Sequence, residues 1–372
     1  MMRETVYLDY NATSPIRPEA ADAVMDMLRL GGNPSSVHAA GRAARDKVEA
    51  ARAQVADLVG AKPGSVTFTS GASEANVLAL RGLPSRRVLV SAIEHDSVLN
   101  AVSDPVLLPV DGAGRIDLDA LRGVVREGDL VSVMAANNET GVIQPLADIA
   151  AIVAEAGAVL HVDAVQAAGR MALDFGGLSP AAMSVSAHKL GGPPGIGALV
   201  LKTDLPLTAQ TRGGGQERGR RGGTENTAGI VGFGAAAAAL QSIWQEERDR
   251  IVALRDRLER GIAATVPAAV LIATHMDRIA NTLSVALPGV PAEKQVIALD
   301  LAGYAVSAGS ACSSGKVKTS HVLSAMGLPE DIAGSAVRIS LGWKTTAEEI
   351  AGFLKAYQIM AVRLAVRLGG GA

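Results

Sequence analysis

The sequence predicts an α/β protein with a mainly parallel seven-stranded sheet, followed by a smaller α/β unit. Short apolar runs alternate with amphipathic segments between about residues 65 and 200, and further strands alternate with helices in the last third of the chain. Such alternation is typical of a largely parallel sheet covered by helices on both faces. Hydrophobic residues make up 48% of the 372 residues, which is ample for a buried core.

Seven apolar runs are the predicted strands of the main sheet: SVTFT, RVLVS, PVLLPV, DLVSVMA, AVLHVD, AMSVS and GALVL. Apolar residues three and four apart predict helices between and before them, namely PEAADAVMDMLRL, HAAGRAARDKVEAARAQVADLVG, DLDALRGVVRE and PLADIAAIVAEAG. A long helix over roughly residues 228–262 leads into the smaller unit, whose predicted strands are AVLIAT, NTLSVAL and AVRISLG. Because parallel sheets place ligands at the carboxyl ends of their strands, polar residues just after a strand are the first candidates for a site.

Charge and cysteine content exclude several classes of protein. Lys and Arg number 35 against 37 Asp and Glu, so the net charge is -2, which argues against a protein that coats nucleic acid or an anionic membrane. The single cysteine, Cys312, excludes an intrachain disulfide and a cysteine-built metal cage within one chain, and we expect no resident metal ion. The N-terminus lacks the apolar region of a signal peptide, so we expect a cytoplasmic protein.

Two stretches bear on membrane and nucleic-acid binding. Residues 227–245 carry no charge, which is close to a membrane-span length, but they are dominated by Ala and Gly and continue into a charged helical pattern. A buried helix that continues onto the surface explains them better. RGGGQERGRRGGT resembles an RNA-binding segment, but it is short and lacks aromatic residues, so we expect a loop that contacts phosphate or a second subunit.

The strongest local signal for chemistry lies between an apolar run and a Gly/Pro-rich turn, where Ser186, His188 and Lys189 stand. A lysine held there can act as a Schiff-base amine once desolvation lowers its pKa, and an ordinary surface lysine is the alternative. Asp163 ends another apolar run, and Gln166 follows three residues later. A carboxylate there could keep a pyridine nitrogen protonated or could cap a helix.

Three other predicted strands are also followed by polar groups. The turn from Gly71 to Ser73 opens a helix whose N–H groups could bind a phosphate, although plain capping explains much of this pattern. His95 lies just past the next strand, where an imidazole is either structural or stacked on an aromatic cofactor. Asn137 and Asn138 end a further strand and suit either amide donors to a ligand or turn formers.

Two residues in the last third of the chain also suggest chemistry. Cys312 lies among Ser, Gly and Ala in SAGSACSSGK, where it is either an inert small hydrophobe or a nucleophile on a loop that reaches into a cleft. Arg338 interrupts an apolar strand, which suits an arginine paired with a carboxylate of the protein or of a substrate.

In their order and spacing these motifs resemble those of the NifS/IscS-type cysteine desulfurases, pyridoxal-phosphate enzymes of fold type I in aminotransferase class V. The SAGSACSS loop resembles that of the group I branch. The resemblance implies a large domain over residues 15–250, and a small domain of residues 1–14 and 251–372 that carries the cysteine loop. It runs almost end to end, through YLDYNATSP, GNPSSVH, FTSGASEAN, EHDSV, NNETGVIQP, HVDAVQ, SAHKLGGPPGIG, GGGQERGRRGGT, SAGSACSS and VRISLG.

The resemblance also implies a role for each candidate residue. Lys189 would hold pyridoxal phosphate as a Schiff base, His95 would stack on its ring and act with Lys189 in catalysis, and Cys312 would accept the sulfur. Asn138 and Arg338 would bind the carboxylate of L-cysteine. The remaining cofactor contacts would be Ala72, Ser73, Asp163, Gln166, Ser186, His188 and, from the other subunit of a homodimer, Thr224.

The implied reaction converts L-cysteine to L-alanine and leaves a persulfide on Cys312 for a sulfur-acceptor protein, an iron–sulfur scaffold or another sulfur carrier. Cys312 would at most contact a cluster on that partner transiently. The chain ends at AVRLGGGA without the longer extension that housekeeping members use to dock a scaffold, so the acceptor stays open. The sequence also departs from the family's usual residues at three places. Ser73 stands where Thr is usual, Gln216 where His is usual, and GWK follows the Arg338 strand where GR[FY] is usual.

Two other functions fit part of the sequence. Another class V enzyme, an aminotransferase or a selenocysteine lyase, would use Lys189 and Asp163 but gives no reason for the SAGSAC loop. A non-catalytic binding protein on the same fold gives no reason for the matched cofactor residues.

Overall fold

The computed structural model describes residues 5–309 and 319–369. A short N-terminal strand, β1 (Val6–Tyr7), precedes the seven strands of the larger sheet. These are β2 (Val66–Thr69), β3 (Val88–Ser91), β4 (Val106–Leu108), β5 (Leu130–Met134), β6 (Val159–Asp163), β7 (Ala182–Ser186) and β8 (Gly197–Leu201). Each predicted apolar run contains one of them.

The strand order in this sheet is β2-β8-β7-β6-β5-β3-β4. Strands β3 to β7 pair with one another in parallel, and only β8 runs antiparallel to its neighbours β2 and β7. The predicted mainly parallel, seven-stranded sheet is therefore confirmed. Strands β3, β5, β6 and β7 end at the same edge, where Ser91, Met134, Asp163 and Ser186 are their last residues.

Helices pack around both sheets, and the predicted ones are present. They are α1 (Pro18–Leu30), α2 (Ala39–Leu58), α3 (Ala72–Gly82), α4 (Asp96–Leu99), α5 (Leu118–Val124), α6 (Leu146–Glu155), α7 (Phe175–Leu178), α8 (Thr227–Thr265), α9 (Ala292–Leu301), α10 (His321–Ala325), α11 (Glu330–Ala333) and α12 (Ala347–Gly369). Local signals set their starts: Pro18 stands at the first turn of α1, and the Asp117 carboxylate accepts from two N–H groups at the start of α5.

The centre of the larger sheet contains a polar row inside an apolar core. His161 on β6 is fully buried, and its Nδ1 and Nε2 lie 2.8 Å and 2.9 Å from the hydroxyls of Ser132 and Ser184 on the neighbouring strands. Burial lowers the pKa of His161 to about 4, so the ring stays neutral. With both ring nitrogens hydrogen-bonded, this residue meets the requirement that buried polar groups find partners.

The smaller sheet is antiparallel and follows the larger one in the chain. Its strands are β9 (Val270–Ile272), β10 (Thr282–Ala286), β12 (Ser307–Ala308) and β13 (Ala336–Ser340), in the order β12-β13-β10-β9. Strand β1 pairs with β11 (Tyr304–Ala305), so the N-terminal end of the described chain lies against this C-terminal unit. Phe353 and Tyr357 of α12 are fully buried against the smaller sheet.

Helix α8 joins the two units. Its first part, with Ile230 and Phe233, belongs to the core of the larger sheet, and its later part, with Leu258 and Ile262, belongs to the core of the smaller one. By length and composition it is the one helix among the described residues that could cross a membrane, and 44% of its most apolar window is buried. Its packing against α1, α2 and α12 favours the core helix that we expect from the sequence. The domain boundaries at residues 14 and 250 stay a prediction.

Candidate active site

A cavity of about 520 Å³ lies at the carboxyl ends of β3, β5, β6 and β7. It is also closed by the N-terminus of α3 and by β13 of the smaller sheet. Its lining includes the residues of the described chain that the sequence suggested for the cofactor or the substrate, with the exceptions of Asn137 and Thr224: Ala72, Ser73, His95, Asn138, Asp163, Gln166, Ser186, His188, Lys189 and Arg338.

Lys189 lies in a single turn of 3₁₀-helix that follows β7. Its Nζ donates to the backbone oxygens of Asn11 and Ala12, at 2.6 Å and 2.8 Å. Burial, reinforced by the positive charges of Arg338 and Arg170, lowers the pKa of Lys189 to about 7. A substantial fraction of this amine is therefore uncharged and nucleophilic at neutral pH, which an ordinary surface lysine is not.

Asp163 is the last residue of β6 and is nearly fully buried. Its Oδ1 accepts from the backbone N–H of Val165 at 3.0 Å, and its Oδ2 accepts from Nδ2 of Asn76 at 2.8 Å. The chain after Asp163 forms turns and no α-helix, so the helix-capping interpretation is wrong although the carboxylate does stabilise a turn. The two hydrogen bonds fix the carboxylate at the wall of the cavity.

Gln166 and Lys189 donate to the same backbone oxygen. The Nε2 of Gln166 donates to the Asn11 backbone oxygen at 3.0 Å, and its Oε1 accepts from Arg170. Arg170 also donates to the backbone oxygens of Tyr10 and Lys189, each at 3.1 Å. Burial lowers the pKa of Arg170 to about 9. Arg170 therefore fixes the backbone at Lys189, and no sequence pattern indicated this residue.

The N-terminus of α3 forms the end of the cavity that suits an anion. No side chain caps this helix, since its N-cap residue is Gly71. Glu74 instead accepts from the Ser70 N–H at 2.6 Å and pairs with Arg221. The N–H groups at the helix start are thus available to a phosphate, as the sequence suggested. A side chain at Gly197 would stand 2.7 Å from the Gly71 backbone, so a glycine there lets β8 approach this turn.

Ser186 and His188 also line the cavity. Ser186 is buried as the last residue of β7. The Nδ1 of His188 lies 3.2 Å from the hydroxyl of Thr13. Burial and the neighbouring charges of Lys189 and Arg170 lower the pKa of His188 to about 4, so it is a neutral hydrogen-bonding group in the free protein.

Arg338 on β13 forms the opposite end of the cavity. It pairs with Asp9 through Nη2 at 2.8 Å and donates from Nη1 to the Asn138 backbone oxygen at 3.0 Å. Its Nε is buried and has no hydrogen-bond partner among the described residues. The arginine is therefore paired within the protein and still offers one N–H, and a buried donor without a partner is costly unless a ligand satisfies it.

His95 follows β3 and caps α4. Its Nδ1 accepts from the Ser97 backbone N–H at 3.1 Å and lies 2.8 Å from the Ser97 hydroxyl. The His95 ring is thus fixed at Nδ1 and is exposed within the cavity.

Three candidate site residues do not line the main cavity. Asn137 is buried and its Oδ1 accepts from the backbone N–H groups of Glu139 and Thr140 at 2.9 Å and 3.0 Å, so it is the turn former that the sequence also suggested. Thr224 is exposed and lines a smaller neighbouring cavity of about 130 Å³, which shares Ser70 and Gly195 with the main one. Within one chain it does not reach the lysine site. Cys312 lies outside the described residues. Among the residues that are described, no group of three His, Cys, Asp or Glu side chains is placed to hold a metal ion.

Sequence reasoning missed the residues that hold the site together. Asn11 and Ala12 provide the carbonyls for Lys189, and Asn76 and Ser97 contact Asp163 and His95. A signal for Asn76 was present, because it lies one helical turn after Ala72 and so shares a helix face with the predicted phosphate-binding end. Asn11 lies in the motif YLDYNATSP, but nothing local relates that motif to a lysine 178 residues away.

The chain is similar to known proteins over nearly its whole length. The family model for aminotransferase class V matches residues 6–353. A cysteine desulfurase from Cereibacter sphaeroides is 44% identical over 364 residues, which cover 93% of each chain. A NifS-like protein from Rickettsia africae has a TM-score of 0.89 at 33% identity and covers 96% of this chain and 99% of its own. SspA, solved in complex with cysteine, has a TM-score of 0.80 at 30% identity and covers 91% of this chain and 99% of its own. The chain therefore belongs to the aminotransferase class V family, as one of its NifS/IscS-type members.

Proposed function

We propose that this protein is a pyridoxal-phosphate-dependent cysteine desulfurase that converts L-cysteine to L-alanine and transfers the sulfur to Cys312. The observation that carries the proposal is the meeting of Lys189, Asp163 and Arg338 in one cavity. They are an amine with a pKa of about 7, a fixed carboxylate and a buried guanidinium with one unsatisfied N–H. Near-full-length similarity to a cysteine desulfurase supports the choice of reaction.

The residues of the cavity fit pyridoxal phosphate. Class V aminotransferases are a pyridoxal-phosphate-dependent family. The uncapped start of α3 suits a phosphate dianion, and the carboxylate of Asp163 suits a protonated pyridine nitrogen. We assign the phosphate to Ala72, Ser73, Ser186 and His188, the ring face to His95, the phenolic oxygen to Gln166 and the covalent link to Lys189. When bound, the cofactor would supply an electron sink for bond cleavage next to the amino group of the substrate.

The substrate carboxylate would bind at the end of the cavity formed by Arg338 and Asn138. The free Nε–H of Arg338 is the donor that the structure leaves without a partner among the described residues. Its other two hydrogen bonds, to Asp9 and the Asn138 backbone, hold the guanidinium in place before the substrate arrives. Fixed donors of this kind reduce the entropy lost when the substrate binds.

Lys189 would also move protons at the substrate. The carbonyls of Asn11 and Ala12 provide acceptors for Nζ at 2.6 Å and 2.8 Å in the protein without ligands. They would hold the amine at the wall of the cavity, where it would take a proton from Cα of the substrate and return one to the product. A pKa near 7 suits both directions of transfer at neutral pH.

The sulfur step balances without an external oxidant. The Cys312 thiolate attacks the substrate sulfur, so that a new S–S bond forms while the C–S bond breaks. The electron pair of the broken bond stays with Cβ and takes up a proton to give the methyl group of alanine. Sulfur is oxidised to the persulfide level as that carbon is reduced, and a reductant or a thiol of an acceptor protein later removes it.

We also propose a cytoplasmic homodimer that delivers sulfur to an iron–sulfur scaffold or another sulfur carrier, without binding nucleic acid or membrane. A second subunit would bring Thr224 to the cavity, which the Thr224 of the same chain does not line. The exposed apolar side chains of Met25 and Leu28 on α1 support burial against another chain.

The proposal is tested by loading the purified protein with pyridoxal phosphate and measuring alanine and sulfide formed from L-cysteine, with and without dithiothreitol. Wild type should form both, with sulfide released by the reductant. Cys312→Ala should lose both products and keep the cofactor absorbance, whereas Ser313→Ala, a matched change beside it, should behave as wild type. Alanine formation by Cys312→Ala would contradict the persulfide route. Transamination or release of selenide from selenocysteine, without cysteine desulfuration, would identify a different class V enzyme.

A further inference from the structure

Asn76 connects two residues that face the cavity from different elements. Its Nδ2 donates to Asp163 Oδ2 at 2.8 Å and to the hydroxyl of Ser97 at 2.9 Å. Asn76 is fully buried, and its Oδ1 has no hydrogen-bond partner among the described residues. A single amide group thus joins the carboxylate at the end of β6 to the serine that contacts His95.

The orientation of this amide follows from its neighbours. Reversal of the Asn76 side chain would place Oδ1 against the carboxylate of Asp163, so that two acceptors would face each other. The Nδ2 group must therefore face Asp163, and its second hydrogen is the one that reaches Ser97. Because the Ser97 hydroxyl accepts this hydrogen, its own hydrogen is free to be donated to Nδ1 of His95, 2.8 Å away.

The backbone N–H of Ser97 favours the same proton position as the hydroxyl does. Its N–H points at Nδ1 of His95 at 3.1 Å, because His95 is the N-cap residue of α4. A hydrogen on Nδ1 would face this N–H, and two donors would oppose each other. The hydroxyl and the backbone N–H of Ser97 therefore each favour a lone pair on Nδ1, so a neutral His95 carries its proton mainly on Nε2.

We propose that Asn76 and Ser97 are positioning residues that hold His95 as the Nε2–H tautomer and keep its ring oriented in the cavity. A neutral imidazole in this form presents a hydrogen-bond donor, whereas the opposite tautomer would present only a lone pair. A donor there can bind or protonate a developing sulfur or oxygen anion of the substrate. This last use rests on the proposed function; the tautomer does not depend on it.

The tautomer is measured by long-range ¹H–¹⁵N NMR of protein labelled with ¹⁵N-histidine, without and with pyridoxal phosphate. The chain has 6 histidines, and His95→Gln assigns the His95 signals by their loss. In wild type, Nδ1 of His95 should show the shift of an unprotonated nitrogen and Nε2 that of a protonated one. The reverse pattern would overturn the proposal, whatever the enzyme activity.

Variants test the two positioning residues. Ser97→Ala and Asn76→Ala should each give a mixture of tautomers, and turnover of L-cysteine should fall by about 10-fold, below the 10²–10⁴-fold contribution of a complete acid–base group. Ser97→Thr keeps the hydroxyl and should restore the wild-type spectrum. Ser103→Ala, the same change at an exposed residue outside the cavity, should alter neither.

These measurements separate the present proposal from the proposed function. A fall in the population of the Nε2–H tautomer from wild type to Ser97→Ala supports the positioning roles even if no alanine is formed from cysteine. An unchanged spectrum and an unchanged turnover in both alanine variants would overturn them even if the protein is an active desulfurase.

Discussion

The Nζ of Lys189 lies 2.6 Å from the backbone oxygen of Asn11, and the side chain of Asn11 donates to the backbone oxygen of Asn138 at 3.1 Å. One residue of the N-terminal segment thus contacts both the amine and the loop at the proposed carboxylate end of the cavity. Asn11 is buried, and Asn281 of the smaller unit donates to its side-chain oxygen at 2.9 Å. The lysine site is therefore built from both structural units.

Replacement of Lys189 should abolish covalent attachment of the cofactor. Lys189→Ala removes the amine that the cavity holds with a lowered pKa, so borohydride reduction should no longer fix pyridoxal phosphate to the protein. Alanine formation should fall by at least about 10³-fold, within the range of an acid–base group. Lys202→Ala changes an exposed lysine and should leave both properties intact. Covalent fixation in Lys189→Ala, located on another residue by peptide mapping, would contradict the assignment.

The reactivity of Lys189 in the cofactor-free protein should change near neutral pH. Burial and two neighbouring arginines lower its pKa from 10.5 to about 7. Labelling by acetic anhydride, followed by mass spectrometry of the Lys189 peptide, should therefore reach half its maximum rate near pH 7. The exposed Lys202 in the same sample is the internal reference. Equal pH profiles for the two lysines would show that the cavity does not perturb the amine.

The same lowered pKa should affect stability with a defined sign. Between about pH 7 and 10.5 the unfolded chain binds a proton at Lys189 that the folded protein does not bind. The free energy of unfolding of the cofactor-free wild type should therefore rise with pH across this window, relative to Lys189→Met. Urea denaturation at several pH values measures this difference. A constant difference between the two proteins from pH 7 to 10.5 would contradict the lowered pKa.

Replacement of Arg338 should weaken the binding of L-cysteine. Arg338→Lys keeps a positive charge for Asp9 but lacks the Nε donor, so the KM for L-cysteine should rise about 10- to 100-fold, as expected for a lost hydrogen bond to a charged group. Asp9→Asn keeps the arginine and tests the ion pair separately; we expect a smaller change in KM. A KM for Arg338→Lys within twofold of wild type would exclude a carboxylate contact.

A buried ion pair fixes the arginine-rich loop. Arg52 and Glu217, both nearly fully buried, form two hydrogen bonds at 2.8 Å and 3.0 Å, and Glu217 also accepts from the Phe68 N–H at 2.9 Å. Glu217→Gln should lower the free energy of unfolding by about 3–5 kcal/mol, because it removes the buried counter-charge of the guanidinium and leaves only the exposed Glu49 paired with it. The double variant Arg52→Met/Glu217→Gln should lose less free energy of unfolding than the sum of the losses in the two single variants. Urea denaturation of the two single variants and the double variant measures this. A loss in the double variant equal to the sum of the two single losses would contradict the coupling.

Much of the fold and the site could be predicted because both follow from local patterns. The ends of β3, β5, β6 and β7 could be read from apolar runs, and parallel strands bring their carboxyl ends to one edge. His95, Asp163 and Lys189 were therefore expected to lie together, and they do.

The rest depends on contacts that no local pattern reports. Asn11 reaches Lys189 across 178 residues of sequence, and Arg170 reaches Tyr10 across 160. The place of Thr224 in a neighbouring cavity depends equally on tertiary structure, and its role between subunits stays a prediction. An Asp at a strand end also suggested a helix cap, because the sequence signal for a cap and for a site carboxylate is the same.

The most direct test of the central claim is the mass of the Cys312 peptide after a single turnover. The protein loaded with pyridoxal phosphate is mixed with one equivalent of L-cysteine, quenched with an alkylating reagent, digested and analysed by mass spectrometry. The account predicts one additional sulfur atom on Cys312, with one alanine formed for each persulfide. Alanine without sulfur on Cys312, or a cysteine recovered unchanged by a fully loaded protein, would contradict it.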